Sequence, residues 1–322
     1  MLSRIHSVMV AMLAASASAG AASPDWVTTT LDAPCDVTDI DFSDASHGFA
    51  TCAFGDAMTT DDGGLNWHVF GTGLQQSLVW AHAESADVLY AARLGFYRSI
   101  DGGQTWSELG GLSQITNTIF DAHVIDSQHI ALVKAGSVHY SENGGQDWTE
   151  VYETETFGAF HQLDFPTAQT GFATGGYTSE QGSIGIVART IDGGRTWTPL
   201  AFTHDDIRAA DFFDATHGVV ATYQGIYTTA DGGDTWQSNG PLPGSNDVLM
   251  DIAHRDATHW FAASYNGALY ETRDAGATWA PAYQDPQERA LASLSVAGGA
   301  VIAGGNDGYV LYENRIFNDG FD

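Results

Sequence analysis

Basic side chains are scarce in this chain. It has 11 Lys plus Arg against 40 Asp plus Glu, and Lys134 is the only lysine. The resulting formal charge of −29 repels phosphate backbones and anionic lipid headgroups, so we expect neither a nucleic acid nor a membrane surface as partner. The charge does not indicate which partner is bound, because many of these acids are predicted to stabilise turns.

Long apolar runs are absent beyond the N-terminus. Residues 1–22 have the pattern of a signal peptide, with Arg4 at the start, an apolar run from Val8 to Ala17 and small residues after it. The run is shorter than the roughly 20 residues that span a bilayer. We therefore expect a cleaved signal, no membrane insertion, and a soluble mature protein that is secreted or periplasmic.

Cysteine is also rare, with only Cys35 and Cys52 present. Pairing is favoured in an exported protein. The repeat register described below places the two residues at the open ends of neighbouring strands. A disulfide is predicted, and two buried free thiols are the alternative.

One short motif recurs six times, and its tryptophans are 39 to 49 residues apart, the length of one four-stranded propeller blade. The copies are TDDGGLNW (60–67), SIDGGQTW (99–106), SENGGQDW (141–148), TIDGGRTW (190–197), TADGGDTW (229–236) and TRDAGATW (272–279). An Asp or Asn followed by glycine favours a tight turn, and the preceding Ser or Thr can bond across it. The tryptophan then opens the next strand and offers a large apolar surface for packing.

The residues with this structural role are the Asp or Asn and the Trp of each copy. They are Asp62 and Trp67, Asp101 and Trp106, Asn143 and Trp148, Asp192 and Trp197, Asp231 and Trp236, and Asp274 and Trp279. We predict that they lock turns and that the aspartates are neither catalytic nor calcium ligands.

A second repeat, an apolar strand pair, precedes each copy, as in DIDFSDASHGFA (39–50) and QLDFPTAQTGFA (162–173). A seventh strand pair (291–305) leads into YVLYEN (309–314), which has no motif after it. The missing strand is predicted to begin at Trp26, one period before Trp67, because WVTTTL resembles WTPL at 197–200. The sequence thus predicts an all-β, seven-bladed propeller over residues 23–314, closed by pairing of its termini.

The motif resembles the Asp box, or bacterial neuraminidase repeat, of sialidases, sortilin-type receptors and xyloglucanases. With the strand pair included, the chain most resembles the photosystem II stability and assembly factor family. The resemblance covers Trp26 to about Asn314 and implies a propeller, whereas the box itself occurs in proteins of unrelated activities. The family's arginine-rich patch is not reproduced here, so a photosynthetic role is not carried over.

An enzyme of the neuraminidase-repeat type, a glycoside hydrolase or lyase, is the alternative function. The F-R-I-P segment that carries the first of the three substrate-binding arginines of sialidases is absent. Glycosidic acid and base chemistry would need paired carboxylates from loops. The available candidates are Glu153, Glu155, Glu180, Asp205, Asp206 and Glu288.

Binding is expected on the propeller face that carries the B-to-C turns and the links between blades. Aligning the repeats places one residue from each of six blades at the same B-to-C position: Phe54, Arg93, Lys134, Tyr223, Tyr265 and Asn306. The remaining blade has a longer insertion (175–185) that brings Tyr177 and Glu180 to this face. Aromatic rings and cations of this kind suit a protein or a glycan.

No zinc-ligand spacing, phosphate-binding loop or Ser-His-Asp order is found, and His47, His217 and His259 fall in separate blades. We therefore expect no metal and no cofactor. The leading hypothesis is an exported, monomeric and non-catalytic propeller that binds a protein or glycan. A structural module of a cell-surface assembly is a third possibility, and the acidic tail at 315–322 has no assigned role.

Overall fold

The computed structural model describes residues 26–31, 35–110, 112, 118–154, 158–179, 182–242 and 247–313. It contains seven four-stranded antiparallel sheets arranged as the blades of a β-propeller, which confirms the predicted architecture. The predicted signal peptide (1–22) and tail (315–322) lie outside the described residues. Within the described ranges, no helix has the length and apolar character needed to cross a bilayer.

The strands are labelled β1 to β28 in chain order, and positions A to D run from the central channel outwards in each blade. The A strands are β2 (Val37–Phe42), β6 (Trp80–Ala83), β10 (Ile119–Val124), β14 (Ala159–Asp164), β18 (Ile207–Phe212), β22 (Leu249–His254) and β26 (Leu291–Ala297). The B strands are β3 (Gly48–Cys52), β7 (Leu89–Ala92), β11 (Ile130–Lys134), β15 (Gly171–Ser179), β19 (Gly218–Thr222), β23 (Trp260–Ser264) and β27 (Ala300–Gly305).

The outer half of each blade completes the sheet. The C strands are β4 (Asp56–Thr60), β8 (Phe96–Ser99), β12 (Ser137–Ser141), β16 (Gly182–Thr190), β20 (Ile226–Thr229), β24 (Ala268–Thr272) and β28 (Tyr309–Glu313). The D strands are β5 (His68–Gly71), β9 (Ser107–Leu109), β13 (Thr149–Glu153), β17 (Thr198–Leu200), β21 (Gln237–Gly240), β25 (Ala280–Gln284) and β1 (Trp26–Thr30). A single turn of 3-10 helix (Asn306–Gly308) precedes β28.

The last blade is closed by the first strand, as predicted. Its sheet has the order β1-β28-β27-β26, and Trp26 lies opposite Glu313 while Thr30 lies opposite Tyr309. The pairing joins the two ends of the described chain. The ring is therefore held by backbone hydrogen bonds at its seam and leaves no open edge between the first and last blades.

The two faces of the disk are defined by hydrogen bonds between turns. Each Asp box contacts the A-to-B turn of its own blade, as in the bond from Gly63 N–H to the Ser46 carbonyl (2.9 Å). We call this the box face. On the opposite side, the B-to-C turns contact the links between blades, as in the bond from Thr154 N–H to the Gly136 carbonyl (2.9 Å). We call that side the link face.

The Asp box is a local hydrogen-bond network, for which Asp192 serves as an example. Its carboxylate accepts bonds from the Thr196 N–H (2.9 Å), the Thr196 hydroxyl (2.6 Å) and the Thr190 hydroxyl (2.8 Å). The Trp197 indole N–H donates to the Gly194 carbonyl at 3.0 Å. These polar groups therefore serve the turn itself, and the box lies on the face opposite the links.

Aromatic packing between blades fills the space behind the boxes. The ring of Trp106 lies 5.8 Å from that of Phe49 in the preceding blade, and Trp148 lies 5.4 Å from Phe96 in the same way. Each large side chain thus buries apolar surface that two blades share. The core of the molecule is in this way a ring of clusters at the blade interfaces.

Cys35 and Cys52 form a disulfide, with their Cα atoms 5.2 Å apart. Cys35 lies just before β2 and Cys52 ends β3, so the bond ties the entry of the innermost strand of the first blade to its neighbour. Both residues are buried. The bond lies at the link-face end of these strands, because β3 runs towards its B-to-C turn.

Candidate functional site: the link face and the channel mouth

The residues predicted for the B-to-C positions differ in how far they reach solvent. Phe54, Tyr223 and Tyr265 are exposed by 79%, 57% and 60%, and Asn306 is also exposed, whereas Arg93 is half-buried. The A–B register shows that their backbone positions differ by up to two residues. Lys134 is the counterpart of Cys52, Tyr223 and Tyr265 follow that position by one residue, and Phe54 follows it by two. The structure therefore places an exposed large apolar side chain on the link face in three of the six aligned blades.

Lys134 differs from this pattern. It lies at the end of β11 and is buried, only 3% exposed, and this burial lowers its pKa. The sequence interpretation had counted it among the cations that face a ligand. In the structure its ammonium group is enclosed, because the strand continues through the position that the alignment had given to a turn.

Exposed apolar side chains are concentrated on this side of the disk. Among the large apolar residues of the described chain that are exposed, five lie on the link face and two on the box face. The five are Phe54, Leu94, Phe120, Tyr223 and Tyr265, and the two are Ile100 and Ile191. Apolar surface of this kind marks interaction sites when it is grouped on one face.

The fourth blade extends beyond the others on the link face. Strands β15 and β16 are nine residues long and pair from Gly171 opposite Thr190 to Ser179 opposite Gly182. Tyr177 lies in this extension and is half-buried. The other residue predicted here, Glu180, lies outside the described residues.

The link from the fourth to the fifth blade packs closely against this extension. A Cβ on Gly176 would lie 2.2 Å from an Asp206 carboxylate oxygen, so only glycine fits at this position. The carboxylate of Asp206 also approaches the His161 imidazole (3.6 Å) and the Arg208 guanidinium (3.5 Å). The Arg208 guanidinium in turn lies 5.5 Å from the centre of the Tyr223 ring.

The carboxylates predicted as candidates for glycosidic chemistry differ in their exposure to solvent. Asp205 and Asp206 are buried, whereas Glu153 and Glu288 are exposed. Glu155 lies outside the described residues, as does Glu180. The two buried acids are enclosed in the link, with Asp205 accepting a bond from the Asp206 N–H (2.9 Å), and are not directed at open solvent.

The A strands add a set of residues that sequence reasoning missed. In six of the seven blades the A–B pairing shifts by one residue at the same place, and the bulged positions are Thr38, Phe120, His161, Arg208, Met250 and Ala292. A bulge bends a strand and redirects side chains. Here it leaves these residues at the link-face end of the channel, where Phe120 is 40% exposed.

Directly after the bulge, equivalent positions form what we call the upper tier of the channel: Asp39, Trp80, Asp121, Gln162, Ala209, Asp251 and Ser293. Two residues further along each strand lies the lower tier: Asp41, His82, His123, Asp164, Asp211, Ala253 and Ser295. Within the apolar strands, aspartates at alternate positions, such as Asp39 and Asp41, were the available signal. Alternate residues on a strand share one face.

Many of these aspartates bond to the next blade. Asp39 accepts the Ala81 N–H at 2.8 Å, Asp121 accepts the Leu163 N–H at 2.7 Å, and Asp251 accepts the Leu294 N–H at 2.7 Å. In the lower tier, Asp41 and Asp164 accept the N–H groups of Ala83 and Phe212, again in the following blade. The carboxylates thus connect neighbouring A strands around the channel through hydrogen bonds.

Burial in the channel wall changes how these acids titrate. Burial raises the pKa of Asp39 to about 7, that of Asp164 to about 7 and that of Asp251 to about 8. It also raises the pKa of Asp121 well above its ordinary value. In the lower tier burial lowers the pKa of His123 to about 4. The physical cause is the same in each case, since the weakly polar surroundings of a buried side chain disfavour its charged form.

Asp–His pairs complete the lower tier. His82 lies 2.8 Å from Asp41, and His254 lies 2.7 Å from Asp211. Although burial opposes the charge, the bond to Asp211 raises the pKa of His254. On the box-face side of the disk the channel is a cavity of about 700 Å³ lined by this tier.

On the link face the channel opens through a smaller cavity of about 210 Å³, which we call the mouth pocket. Its base includes Asp39, Asp121 and Asp251, and its walls include Trp80, Phe120 and Gln162. The Gln162 side-chain oxygen is buried and accepts no hydrogen bond from any residue that the structure describes. Among the described residues there is no group of three or more His, Cys, Asp or Glu placed to hold a metal ion.

The comparisons with known proteins agree with the resemblance. Residues 18–171 match the family model described as photosynthesis system II assembly factor YCF48. The photosystem II assembly lipoprotein Ycf48 of Synechococcus sp. (strain CC9902) is 24% identical over 270 residues, covering 80% of this chain and 79% of the relative. The chain is an Asp-box propeller that resembles YCF48.

Solved YCF48 structures share the fold. YCF48 from Cyanidioschyzon merolae matches with a TM-score of 0.72 and 21% identity, over 89% of this chain and 98% of that one. A structure described as YCF48 bound to D1 peptide matches with a TM-score of 0.71 and 17% identity, over 89% and 94% of the two chains. The curated relative is named an assembly lipoprotein and not an enzyme, in agreement with a non-catalytic chain.

Proposed function

We propose that this chain is an exported, non-catalytic propeller that binds a protein partner on its link face. The observation that carries the proposal is the concentration of exposed apolar side chains there, including Phe54, Tyr223 and Tyr265. Aromatic side chains of this kind are enriched in protein interfaces. The box face is instead occupied by turn locks whose polar groups bond to one another.

The relatives support a protein rather than a glycan as partner. One is named an assembly lipoprotein, and a structurally similar YCF48 is described with a bound D1 peptide. The present chain has one lysine and a formal charge of −29. We therefore propose a general assembly or holding function for a protein client, without assigning the client of YCF48 to it.

Export is proposed on the sequence of residues 1–22. The relative is named a lipoprotein, whereas Cys35, the first cysteine of this chain, is bonded to Cys52. A lipid anchor on Cys35 is incompatible with that bond. We accordingly propose a soluble protein of the exported compartment, to be checked by N-terminal sequencing and mass measurement of the protein from that fraction.

Site-specific photo-crosslinking tests the face. A crosslinking residue at position 223 should trap a protein partner from the exported fraction, whereas one at position 100 on the box face should not. With the partner purified, Tyr223→Ala combined with Tyr265→Ala should weaken binding at least about tenfold, the effect of losing two interface aromatics. The matched control is Ile100→Ala with Ile191→Ala, which removes two exposed apolar side chains from the box face.

Two results would overturn the placement. One is equal binding by the tyrosine variant and the wild type. The other is loss of binding in the isoleucine control. Turnover of a polysaccharide that depends on Glu153 or Glu288 would favour the glycosidase alternative instead.

A further inference from the structure

We infer that the mouth pocket receives a basic side chain, arginine or lysine, from the protein partner. This inference deepens the proposed function and rests on it for the source of the side chain. The pocket itself is a property of this chain alone. It lies at the centre of the link face, where the seven blades converge.

The first observation is the unbalanced charge of the pocket. Three carboxylates, Asp39, Asp121 and Asp251, approach the same cavity of about 210 Å³. No lysine or arginine is found among the described residues that line it. Carboxylates brought together without a counter-charge are costly when buried, and a cation placed among them removes that cost.

The nearby cation on the rim is directed elsewhere. Arg208 occupies the bulged position of the fifth blade, but its guanidinium lies beside the Asp206 carboxylate and over the Tyr223 ring. The residue that follows it, at the upper-tier position of that blade, is Ala209. The guanidinium of Arg208 is thus held by Asp206, in the link that precedes its blade, and by Tyr223 of its own blade.

The second observation is the chemistry of the walls. Trp80 and Phe120 supply aromatic surface, and Phe120 is partly exposed at the entrance. Aromatic rings attract guanidinium and ammonium groups through the negative potential of their faces. The buried side-chain oxygen of Gln162 has no donor within the described chain, so an incoming N–H would supply its missing partner.

The third observation is the size and setting of the pocket. A cavity of about 210 Å³ admits one long side chain and excludes a folded segment. Phe54, Tyr223 and Tyr265, which lie on B-to-C turns, surround it at greater distance from the axis. A partner that rests on those side chains can place one basic residue at the axis, and the charge of −29 favours its approach.

The raised pKa values of the pocket carboxyl groups support this assignment and predict a measurable effect of binding. The pKa of Asp39 is raised to about 7 and that of Asp251 to about 8 by burial, so both carry protons at mildly acidic pH. A bound cation favours the ionised form, and binding should therefore release protons. Affinity should rise by about tenfold from pH 6 to pH 8.5.

Several other titratable and charged groups face the same channel from the remaining A strands. They are Asp41, His82, Glu84, His123, His161, Asp164, Asp211 and His254; β26 contributes Ser293 and Ser295, and Arg208 of β18 contacts Asp206 instead. The upper-tier acids are nearest the entrance. Proton release on binding is therefore assigned to Asp39, Asp121 and Asp251.

The test uses the purified full-length chain and a small probe, so that it does not depend on the partner. Isothermal titration calorimetry would compare acetyl-Gly-Arg-Gly-amide, its lysine counterpart and its citrulline counterpart, which has the shape of arginine without the charge. We expect the arginine or lysine peptide to bind at least about tenfold more tightly than the citrulline peptide, as for a desolvated charge pair. Buffers of different ionisation enthalpy report the protons released.

Variants locate the site. Asp121→Asn and Asp251→Asn should each weaken binding of the basic peptide about tenfold, and Phe120→Leu should weaken it by a smaller factor of about two to five. Phe120 is partly exposed, so this variant keeps the fold. Asp61→Asn, an equal charge change on an exposed residue of the box face, is the matched control. Thermal unfolding of each variant checks its stability.

The inference is overturned by equal binding of the citrulline and arginine peptides, by an equal effect of Asp61→Asn and Asp121→Asn, or by affinity that falls between pH 6 and pH 8.5. The outcomes for the two proposals separate cleanly. If the peptides bind as expected but the Tyr223 and Tyr265 variant still holds its partner, the pocket stands and the proposed face fails. If only the tyrosine variant behaves as expected, the face stands and the pocket fails.

Discussion

Trp26 and Glu313 lie opposite each other in the antiparallel pair that joins the first strand to the last described one. The Trp26 ring also packs at 6.4 Å from the rings of Phe261 and Tyr283 in the sixth blade. The residue that begins the described chain therefore holds two blades together. The seam is closed by packing as well as by backbone hydrogen bonds.

Trp26→Ala should therefore destabilise the whole ring. We expect a loss of about 2 to 3 kcal/mol in the free energy of unfolding, below the value for a fully buried tryptophan because Trp26 is half-buried. Urea unfolding followed by circular dichroism measures the change. Trp26→Phe is the control and should lose less than half as much. An unchanged midpoint in Trp26→Ala would mean that β1 contributes nothing to closure.

The Asp box makes a second prediction, on the identity of the side chain that locks the turn. Asp192→Ala removes the acceptor for the Thr196 N–H and for two hydroxyls, and should cost about 1 to 2 kcal/mol. Asp192→Asn should cost less, because the third blade already uses Asn143. There the amide oxygen accepts the Asp147 N–H (2.9 Å) and the amide nitrogen donates to the Asp147 carboxylate (2.8 Å). Equal losses in the two variants, measured by urea unfolding, would contradict this account.

The fold was predictable because its signals are local. Each box, such as that of Asp192 and Trp197, encodes its turn within eight residues, and the spacing of the boxes gives the blade. The closing strand followed from counting periods back to Trp26. These inferences need no knowledge of which side chains meet across the molecule.

The channel was not predictable in the same way. Asp39, Asp121 and Asp251 come together only when the ring closes, and they face inward because a one-residue bulge precedes each of them. A shift of one residue in a strand reverses the face on which a side chain lies. Repeat alignment alone cannot show that shift. For a related reason Lys134 was placed on an exposed turn, whereas the strand β11 extends to it and buries it.

The disulfide makes a third prediction. Cys35 and Cys52 close a loop of 17 residues, which is worth about 3 kcal/mol in the chain-entropy model. Replacing both by alanine should lower the free energy of unfolding by about this amount. Urea unfolding of the wild type with and without reductant should show the same difference, and the double variant should show none. A wild type that is insensitive to reductant after complete unfolding and refolding would contradict the prediction.

The fourth prediction concerns stability as a function of pH, and its sign follows from the buried channel acids. Burial raises the pKa of Asp39 and Asp164 to about 7 and that of Asp251 to about 8, against an ordinary value of 3.8. Between pH 4 and pH 8 the folded protein therefore binds more protons at these sites than the unfolded chain does. The free energy of unfolding should fall as the pH rises through this range.

Opposing groups limit the effect on the acid side. Burial lowers the pKa of His123 to about 4, and bonds within the turn lower the pKa of Asp214, even though burial opposes this. The stabilisation from Asp214 is present above pH 4 and is lost as the pH falls below it; that from His123 is present above about pH 6.5 and declines towards pH 4. Because the three raised aspartates outweigh His123 between pH 4 and pH 6.5, stability should be greatest near pH 4 and decline towards pH 8.5.

Thermal unfolding across this range measures the profile, and Asp251→Asn identifies its source. The amide does not ionise, so the decline between pH 6 and pH 8.5 should be shallower in Asp251→Asn than in the wild type. Asp61→Asn, which removes an exposed box-face charge, should leave the slope unchanged. A profile that rises steadily to pH 8.5, or an equal slope in Asp251→Asn and the wild type, would show that the channel acids are ionised at neutral pH without cost. It would also remove the proton release expected when a basic side chain enters the mouth pocket, since the same carboxylates underlie both.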